Sequence, residues 1–483
     1  MLFNSYIFIF FFLPLTIAGY YLLNHYGKNN WAKVELIVMS LGFYGYFNYS
    51  YLFIICGSVL VNYIFSKVIL KYRSSAVIAK GTLTLGVFFN IALIFYFKYF
   101  DFFISNINIL FNQDYVLKNI VLPLGISFFT FQQISYVVDS YRGETKAYTF
   151  CEYMLFVTFF PQLVAGPIVL HNEMIPQFKE KCNIKINYEN WNKGIIYFTF
   201  GLVKKVLIAD TFGIAVNWGY SNVEIMGCLD TIIVILAYTL QIYFDFSGYC
   251  DMATGIALFF NIELPRNFNS PYKATSIIEF WDRWHMTLSR FLKQYIYFPL
   301  GGSRKGKLRT YINVLIVFFV SGVWHGANWT FIIWGCLHGV ANVFTRILGK
   351  HWERVNKYIR QVITFIFINV TWVFFRASSL QEACEILSKL TCVSKGLSAE
   401  LIQCFVTIEW KALSMFIPFI NNMLVVIVIF MLGLGMYVAL TQKNIYEIQW
   451  EIGSKWLSLL VAVLLVWCVV SLSGVTTFLY FNF

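Results

Sequence analysis

The chain has 483 residues, 59% hydrophobic and 12% charged, with a formal net charge of +12 and a mean hydropathy of +0.66. Soluble domains run at roughly 45–50% apolar and about a quarter charged, so this composition excludes a cytosolic enzyme, a secreted disulfide scaffold and a disordered tail protein. It describes a polytopic membrane protein, with room for roughly ten to twelve crossings of ~20 residues each.

The first apolar run, 6–23, is preceded by no positive charge and is longer than a signal-peptide core, so it reads as an uncleaved first helix. Further apolar segments follow at about 35–49, 51–70, 82–100, 119–138, 150–170, 194–216, 229–248, 310–324, 327–348, 358–375, 415–440 and 456–480. Several carry Gly, Pro or charge in mid-run and read as re-entrant or half-crossing pieces. Irregular backbone survives at membrane depth only where protein buries it or water reaches it. Between 263 and 309 the pattern changes. Phe280, Trp284, Leu288, Phe291, Leu292 and Tyr295 recur at helical spacing, and Glu279, Asp282, Arg283, Arg290 and Lys293 fill the other positions. That stripe predicts an amphipathic helix lying at the interface or packed on the bundle.

Basic residues cluster at Lys67–Lys80, Lys179–Lys193, Arg304–Arg309 and Arg346–Arg360. In a membrane protein such clusters mark cytoplasmic loops. The last two bracket the runs 310–324 and 327–348, so the turn Trp324-His325-Gly326-Ala327-Asn328 lies deep in the membrane or beyond its far side. No soluble segment is long enough to build a basic, aromatic-interleaved face for nucleic acid. The ten cysteines contain no C-x-x-C pair. Neither a disulfide framework nor a metal site is indicated.

Ionisable groups in lipid are costly, which makes each a functional candidate. His325 reads either as a histidine hydrogen-bonded at a helix end or as a general base at the bottom of a membrane cavity, with Asn328 placed to donate to a developing oxyanion. The glycines beside it let another backbone or an acyl chain approach. His285, in Trp281-Asp282-Arg283-Trp284-His285, is a second site group or a member of an ion-pair network. His338 reads as a core histidine, His171 as facing a cytoplasmic loop, and His25 and His351 as solvated. Asp245 and Asp251 read mainly as helix anchors paired with arginine, and Arg376 as a snorkelling interface residue. There is no G-x-S-x-G elbow, P-loop, Rossmann fingerprint or H-E-x-x-H pair. Any chemistry therefore happens inside the bundle.

Several blocks carry a family pattern in order: PLGISFFTFQQISYVVDSYRG (123–143), FFPQLVAGPIV (159–169), GLVKKVLIAD (201–210), YFDFSGYCDMATGIALFFNIELPRNFNSPY (243–272), FWDRWHMTLSRFLKQYIYFPLGGSRKG (280–306), SGVWHGANWTFIIWGCLHG (321–339) and a FLYFNF ending. With these the chain resembles the membrane-bound O-acyltransferase (MBOAT) superfamily, in its bacterial alginate O-acetyltransferase (AlgI-like) branch. The resemblance implies an all-α fold of about eleven transmembrane helices plus re-entrant and interfacial helices around a central tunnel. It implies a single membrane domain over 1–483, with core motifs at about 120–345 and C-terminal helices at about 358–483. It puts the catalytic histidine at His325 and the second functional position at His285; the residues beside them, Trp324, Asn328, Asp282 and Arg283, are the expected substrate-binding positions.

The implied activity is O-acetylation of an extracytoplasmic polysaccharide, an alginate-like exopolysaccharide or a cell-wall glycan. Cytoplasmic acetyl-CoA would be the donor, with its phosphates near Arg304–Arg309. No tightly bound cofactor is expected. An SGNH-type partner would complete the transfer, and the place would be the bacterial cytoplasmic membrane. Two rivals stand beside this reading: D-alanyl transfer to teichoic acid, as in DltB-like chains, and an acyl-group or glycan transporter without covalent chemistry. The extra region at 377–455 favours the alginate-acetylase branch over the DltB-like one.

Overall fold

The computed structural model describes residues 1–393, 396–472 and 478–479. Every regular element among them is a helix. Eight helices among the described residues are long and apolar enough to cross a membrane: Phe8–His25, Ser50–Lys71, Ala76–Phe111, Cys228–Leu258, Lys307–His325, Trp329–Leu348, Lys357–Arg376 and Pro418–Thr441. A further apolar helix, Lys455–Val470, is shorter. This is a multi-pass membrane protein. The count falls below the expected eleven for local reasons. Asn29–Gly45 and Ile126–Arg142 have 17 residues each. The 150–170 run breaks at Phe159, between Phe150–Thr158 and the four-residue helix Phe160–Leu163. The 194–216 run contains a π-helical stretch, Val203–Ala209, with two lysines inside it. Residues 480–483 of the FLYFNF ending lie outside the described residues.

The chain divides into two compact units. The first comprises Met1–Thr199 and Tyr249–Pro265. Its core stacks Phe3, Phe8, Phe12, Phe43 and Phe160 ring on ring at centroid distances from 5.0 to 6.2 Å. Where three helices meet, apolar packing gives way to an amide cluster. Asn62 of Ser50–Lys71 donates to Asn90 of Ala76–Ile94 and to Gln133 of Ile126–Arg142. Buried amides of this kind hold membrane helices together where lipid offers no competing partner.

The second unit comprises Phe200–Gly248 and Arg266–Leu479. Its central feature is an antiparallel hairpin, Lys307–His325 followed by Trp329–Leu348. The first of these helices has 19 residues, which is roughly 28 Å of rise and close to the hydrocarbon thickness. Basic residues gather at one end of the hairpin and His325 stands at the other. Glycines bring the two helices together. A Cβ on Gly322 would lie 2.5 Å from the Phe331 carbonyl, and one on Gly335 would lie 2.5 Å from the Phe318 carbonyl. The close approach foreseen around His325 is therefore made by the partner helix backbone. The third helix, Lys357–Arg376, packs on Trp329–Leu348 with Trp372 stacked 6.0 Å from Trp334.

The stripe is buried from Phe280 to Leu292, with Phe280 and Leu288 at 0% exposure, and half-buried at Tyr295. It is not one helix, however. It divides into Ile277–Arg283 and Met286–Leu292, and the break falls at His285, whose φ is +46°.

Candidate active site

His325 ends its helix inside aromatic rings. Trp324 and Trp334 lie 4.9 Å from its ring and Phe375 lies 5.2 Å away, all edge-on. The imidazole is 2% exposed. The turn after it is braced from both sides. The Phe331 ring rests against Gly326, where a Cβ would collide with it. Asn328 caps the next helix, accepting from the Thr330 N–H at 3.1 Å, while its amide donates to the Ser378 carbonyl at 2.7 Å. The expected oxyanion donor is thus used as a helix cap and tie.

His285 reaches the same place from another element. Its ring sits edge-on to Phe246 at 4.9 Å and 6.1 Å from Trp324. The Trp324 indole therefore touches both histidines, and the structure brings together three of the six predicted site residues. Burial lowers the His285 pKa from 6.5 to about 3, so the ring is neutral at physiological pH. Its left-handed backbone costs a non-glycine residue about 1–2 kcal/mol. Bonds to Asn267 hold that conformation. The Asn267 carbonyl accepts from the Met286 N–H at 2.9 Å, and its side-chain oxygen lies 3.1 Å from His285 Nδ1. Asn267 was not singled out by sequence reasoning. The polar run Arg266-Asn267-Phe268-Asn269-Ser270 ahead of the stripe is the signal that could have found it.

Asp282 and Arg283 are not part of this cluster. Asp282 is exposed. Arg283 pairs with Glu279 at 2.9 Å and donates to the Asn269 carbonyl at 3.0 Å, anchoring the segment that carries Asn267. His338 is a core histidine, as expected. Trp281 donates to its Nδ1 at 3.2 Å, and its Nε2 lies 3.1 Å from the Thr371 hydroxyl.

Other expectations change. His171, expected to face a loop, is 1% exposed. Its Nε2 lies 3.3 Å from Asp139, and Nδ1 lies 3.5 Å from the Tyr148 hydroxyl. Asp245 is a buried anchor, but its cation is Lys205 at 2.8 Å and not an arginine, and Lys205 also meets Asp210 at 2.8 Å. Arg376, by contrast, keeps the expected place at the end of Lys357–Arg376, where it lies over the Tyr220 ring at 4.8 Å and donates to Asn217. Among the described residues no group of three or more His, Cys, Asp or Glu could hold a metal ion.

The sequence of the chain matches the membrane-bound O-acyltransferase family over residues 31–380. It is 44% identical over 417 residues to the peptidoglycan O-acetyltransferase of Helicobacter pylori, covering 80% of this chain and 79% of that one. It is 38% identical over 389 residues to the probable alginate O-acetylase AlgI of Pseudomonas aeruginosa, covering 79% and 73%. Similarity to the teichoic acid D-alanyltransferase of Bacillus subtilis is lower, 29% over 270 residues, covering 52% and 67%. The match over residues 31–380 and the identity to these O-acetyltransferases show that the chain is an acyltransferase that belongs to the membrane-bound O-acyltransferase family.

Proposed function

We propose that this chain moves acetyl groups from cytoplasmic acetyl-CoA to a hydroxyl presented on the far side of the bacterial cytoplasmic membrane, for O-acetylation of an envelope glycan. The glycan we favour is peptidoglycan, because the relative with that activity shares 44% identity against 38% for the alginate acetylase. The whole chain works as one catalytic domain, a reading supported by a family match that runs from residue 31 to residue 380. The observation that carries the proposal is the placement of His325, buried among aromatic rings at the hairpin end opposite Arg304–Arg309 and Arg346.

In this mechanism the phosphates of acetyl-CoA rest on the basic loop at Arg304–Arg309, and the pantetheine arm reaches His325. The acceptor hydroxyl attacks the thioester carbonyl carbon, so that a C–O bond forms and the C–S bond breaks. Its proton passes to the His325 imidazole and then to the departing thiolate. General base catalysis of this type contributes typically 10²–10⁴-fold, that is about 3–5 kcal/mol of barrier. The aromatic box excludes water that would hydrolyse the thioester. An SGNH-type partner outside the membrane receives the acetyl group and passes it to the glycan.

The test is ester-linked acetate on isolated peptidoglycan and exopolysaccharide from a deletion strain carrying wild type, His325→Ala or no copy, at matched membrane abundance. Acetate restored on peptidoglycan by wild type alone is the expected result. Acetate restored by His325→Ala would contradict the catalytic role, and D-alanyl ester in place of acetate would move the chain to the teichoic-acid activity.

A further inference from the structure

Resting on that reading of the site, we infer that Asn267 is a positioning residue that holds His285 as its Nδ1–H tautomer, so that His285 meets the reaction through Nε2 as a hydrogen-bond acceptor and not as a donor. The argument begins with a group of fixed polarity. The Thr287 backbone N–H donates to the Asn267 side chain at 3.3 Å, and the Thr287 hydroxyl lies 2.8 Å from the same atom. A backbone N–H can only donate, so the atom facing it is the amide oxygen. With the amide turned the other way, an NH₂ would face an N–H. His285 Nδ1 lies 3.1 Å from that oxygen, and two acceptors would repel, so Nδ1 carries the hydrogen. A neutral imidazole has one N–H, and Nε2 therefore presents its lone pair.

The frame around this contact is rigid. The Asn267 carbonyl accepts from Met286, and the Asn269 N–H donates to the Arg283 carbonyl, both at 2.9 Å. The Arg283 guanidinium also bonds the Asn269 carbonyl. Asn267 is thus clamped from both ends of the break, and the left-handed turn at His285 aims Nδ1 at it. This assignment separates two roles. A histidine stabilising an oxyanion through Nε2 needs a hydrogen there. The Nδ1–H form instead accepts a hydrogen bond from the acceptor hydroxyl or from the product thiol, while the proton itself passes through His325.

Phe246, Trp324 and Asn267 face His285 from neighbouring elements, and none of these three ionises near neutral pH. His325 follows Trp324 directly. On the element of His285 itself, Glu279 and Arg283 pair with each other, and Asp282 and Arg290 complete its charged groups. Burial is the cause of the lowered His285 pKa. A carboxylate in place of the Asn267 amide would accept from the same donors and add a negative charge beside Nδ1, which favours the imidazolium.

The experiment follows acetyl transfer from acetyl-CoA in membrane vesicles of wild type, Asn267→Asp, Asn267→Leu and His325→Ala between pH 5 and 9. It is paired with ¹⁵N NMR of histidine-labelled protein, in which the His285 signals are identified by their loss in His285→Gln. Asn267→Asp is expected to keep transfer within a few-fold of wild type at alkaline pH and to move the acid limb up by about one pH unit or more. Asn267→Leu is expected to lose about tenfold or more at every pH. The NMR is expected to show a protonated Nδ1 and an unprotonated Nε2. An acid limb unmoved by Asn267→Asp, or the opposite tautomer in the spectrum, overturns the inference. The spectrum decides the tautomer even if wild type shows no His325-dependent transfer, which would instead refute the functional reading.

Discussion

His338 and His285 are both completely buried in the same unit, yet their surroundings differ in kind. His338 sits mid-helix in a chain of bonds that uses every hydrogen. The Trp281 indole donates to Nδ1, Nε2–H donates to the Thr371 hydroxyl, and that hydroxyl donates to the Ile368 carbonyl. His285 sits at a backbone break with φ +46°, held by an amide from 18 residues upstream and facing the tryptophan that adjoins His325. Burial alone does not mark a functional histidine. The difference lies in whether the surrounding structure closes the ring into a packing network or strains the backbone to aim it, and such strain persists only where the structure around it holds it in place.

Substitutions can break this comparison, beginning with the site. His325→Ala is expected to lower acetyl transfer at least ~100-fold, the low end of general-base contributions, with membrane abundance unchanged. The assay is label transferred from acetyl-CoA in vesicles. His285→Gln replaces the aimed imidazole by a flexible amide and is expected to cost about tenfold or more in rate, with a thermal midpoint near that of wild type in detergent. His338→Leu should behave in the opposite sense. It leaves the Trp281 and Thr371 groups without their partner, at about 1–3 kcal/mol of stability each, and lowers the thermal midpoint while transfer stays within about threefold per surviving molecule. Similar transfer losses for His338→Leu and His285→Gln would remove the distinction between the two histidines.

The smallest expected effect is on pH. The folded-state pKa of His285 is lowered to about 3 from an ordinary 6.5. Its contribution to stability is therefore complete above pH 6.5 and is lost as pH falls from there toward 3, because the unfolded chain binds a proton that the folded one refuses. Thermal midpoints measured at pH 7.5, 6 and 5 should fall for wild type and fall less steeply for His285→Gln. Parallel slopes would contradict a neutral, buried ring.

Much of this was legible in the sequence because it depends on local pattern. Two basic clusters bracketing two apolar runs placed the His325 turn at the far end of a hairpin, and the Trp284 stripe announced a buried face. What stayed hidden depends on contacts across the chain. The stripe read as one helix because its spacing is unbroken, and nothing within it reveals that Asn267 and the clamp at Asn269 divide it at His285. His171 was expected to face a loop because its partner, Asp139, comes 32 residues earlier. Asp245 was expected to find arginine, and it found Lys205 on a π-helical stretch that hydropathy does not register. Asn328 could have been read correctly, since an asparagine at the start of an apolar helix is a capping signal.

The most direct test of the central claim, that His325 supplies the base for acetyl transfer, is the single-turnover rate of label transfer from acetyl-CoA in membrane vesicles carrying equal amounts of wild type, His325→Ala and His338→Leu. The account predicts that His325→Ala falls at least ~100-fold while His338→Leu stays within about threefold of wild type. A His325→Ala rate close to that of wild type, with His338→Leu strongly impaired, would contradict it.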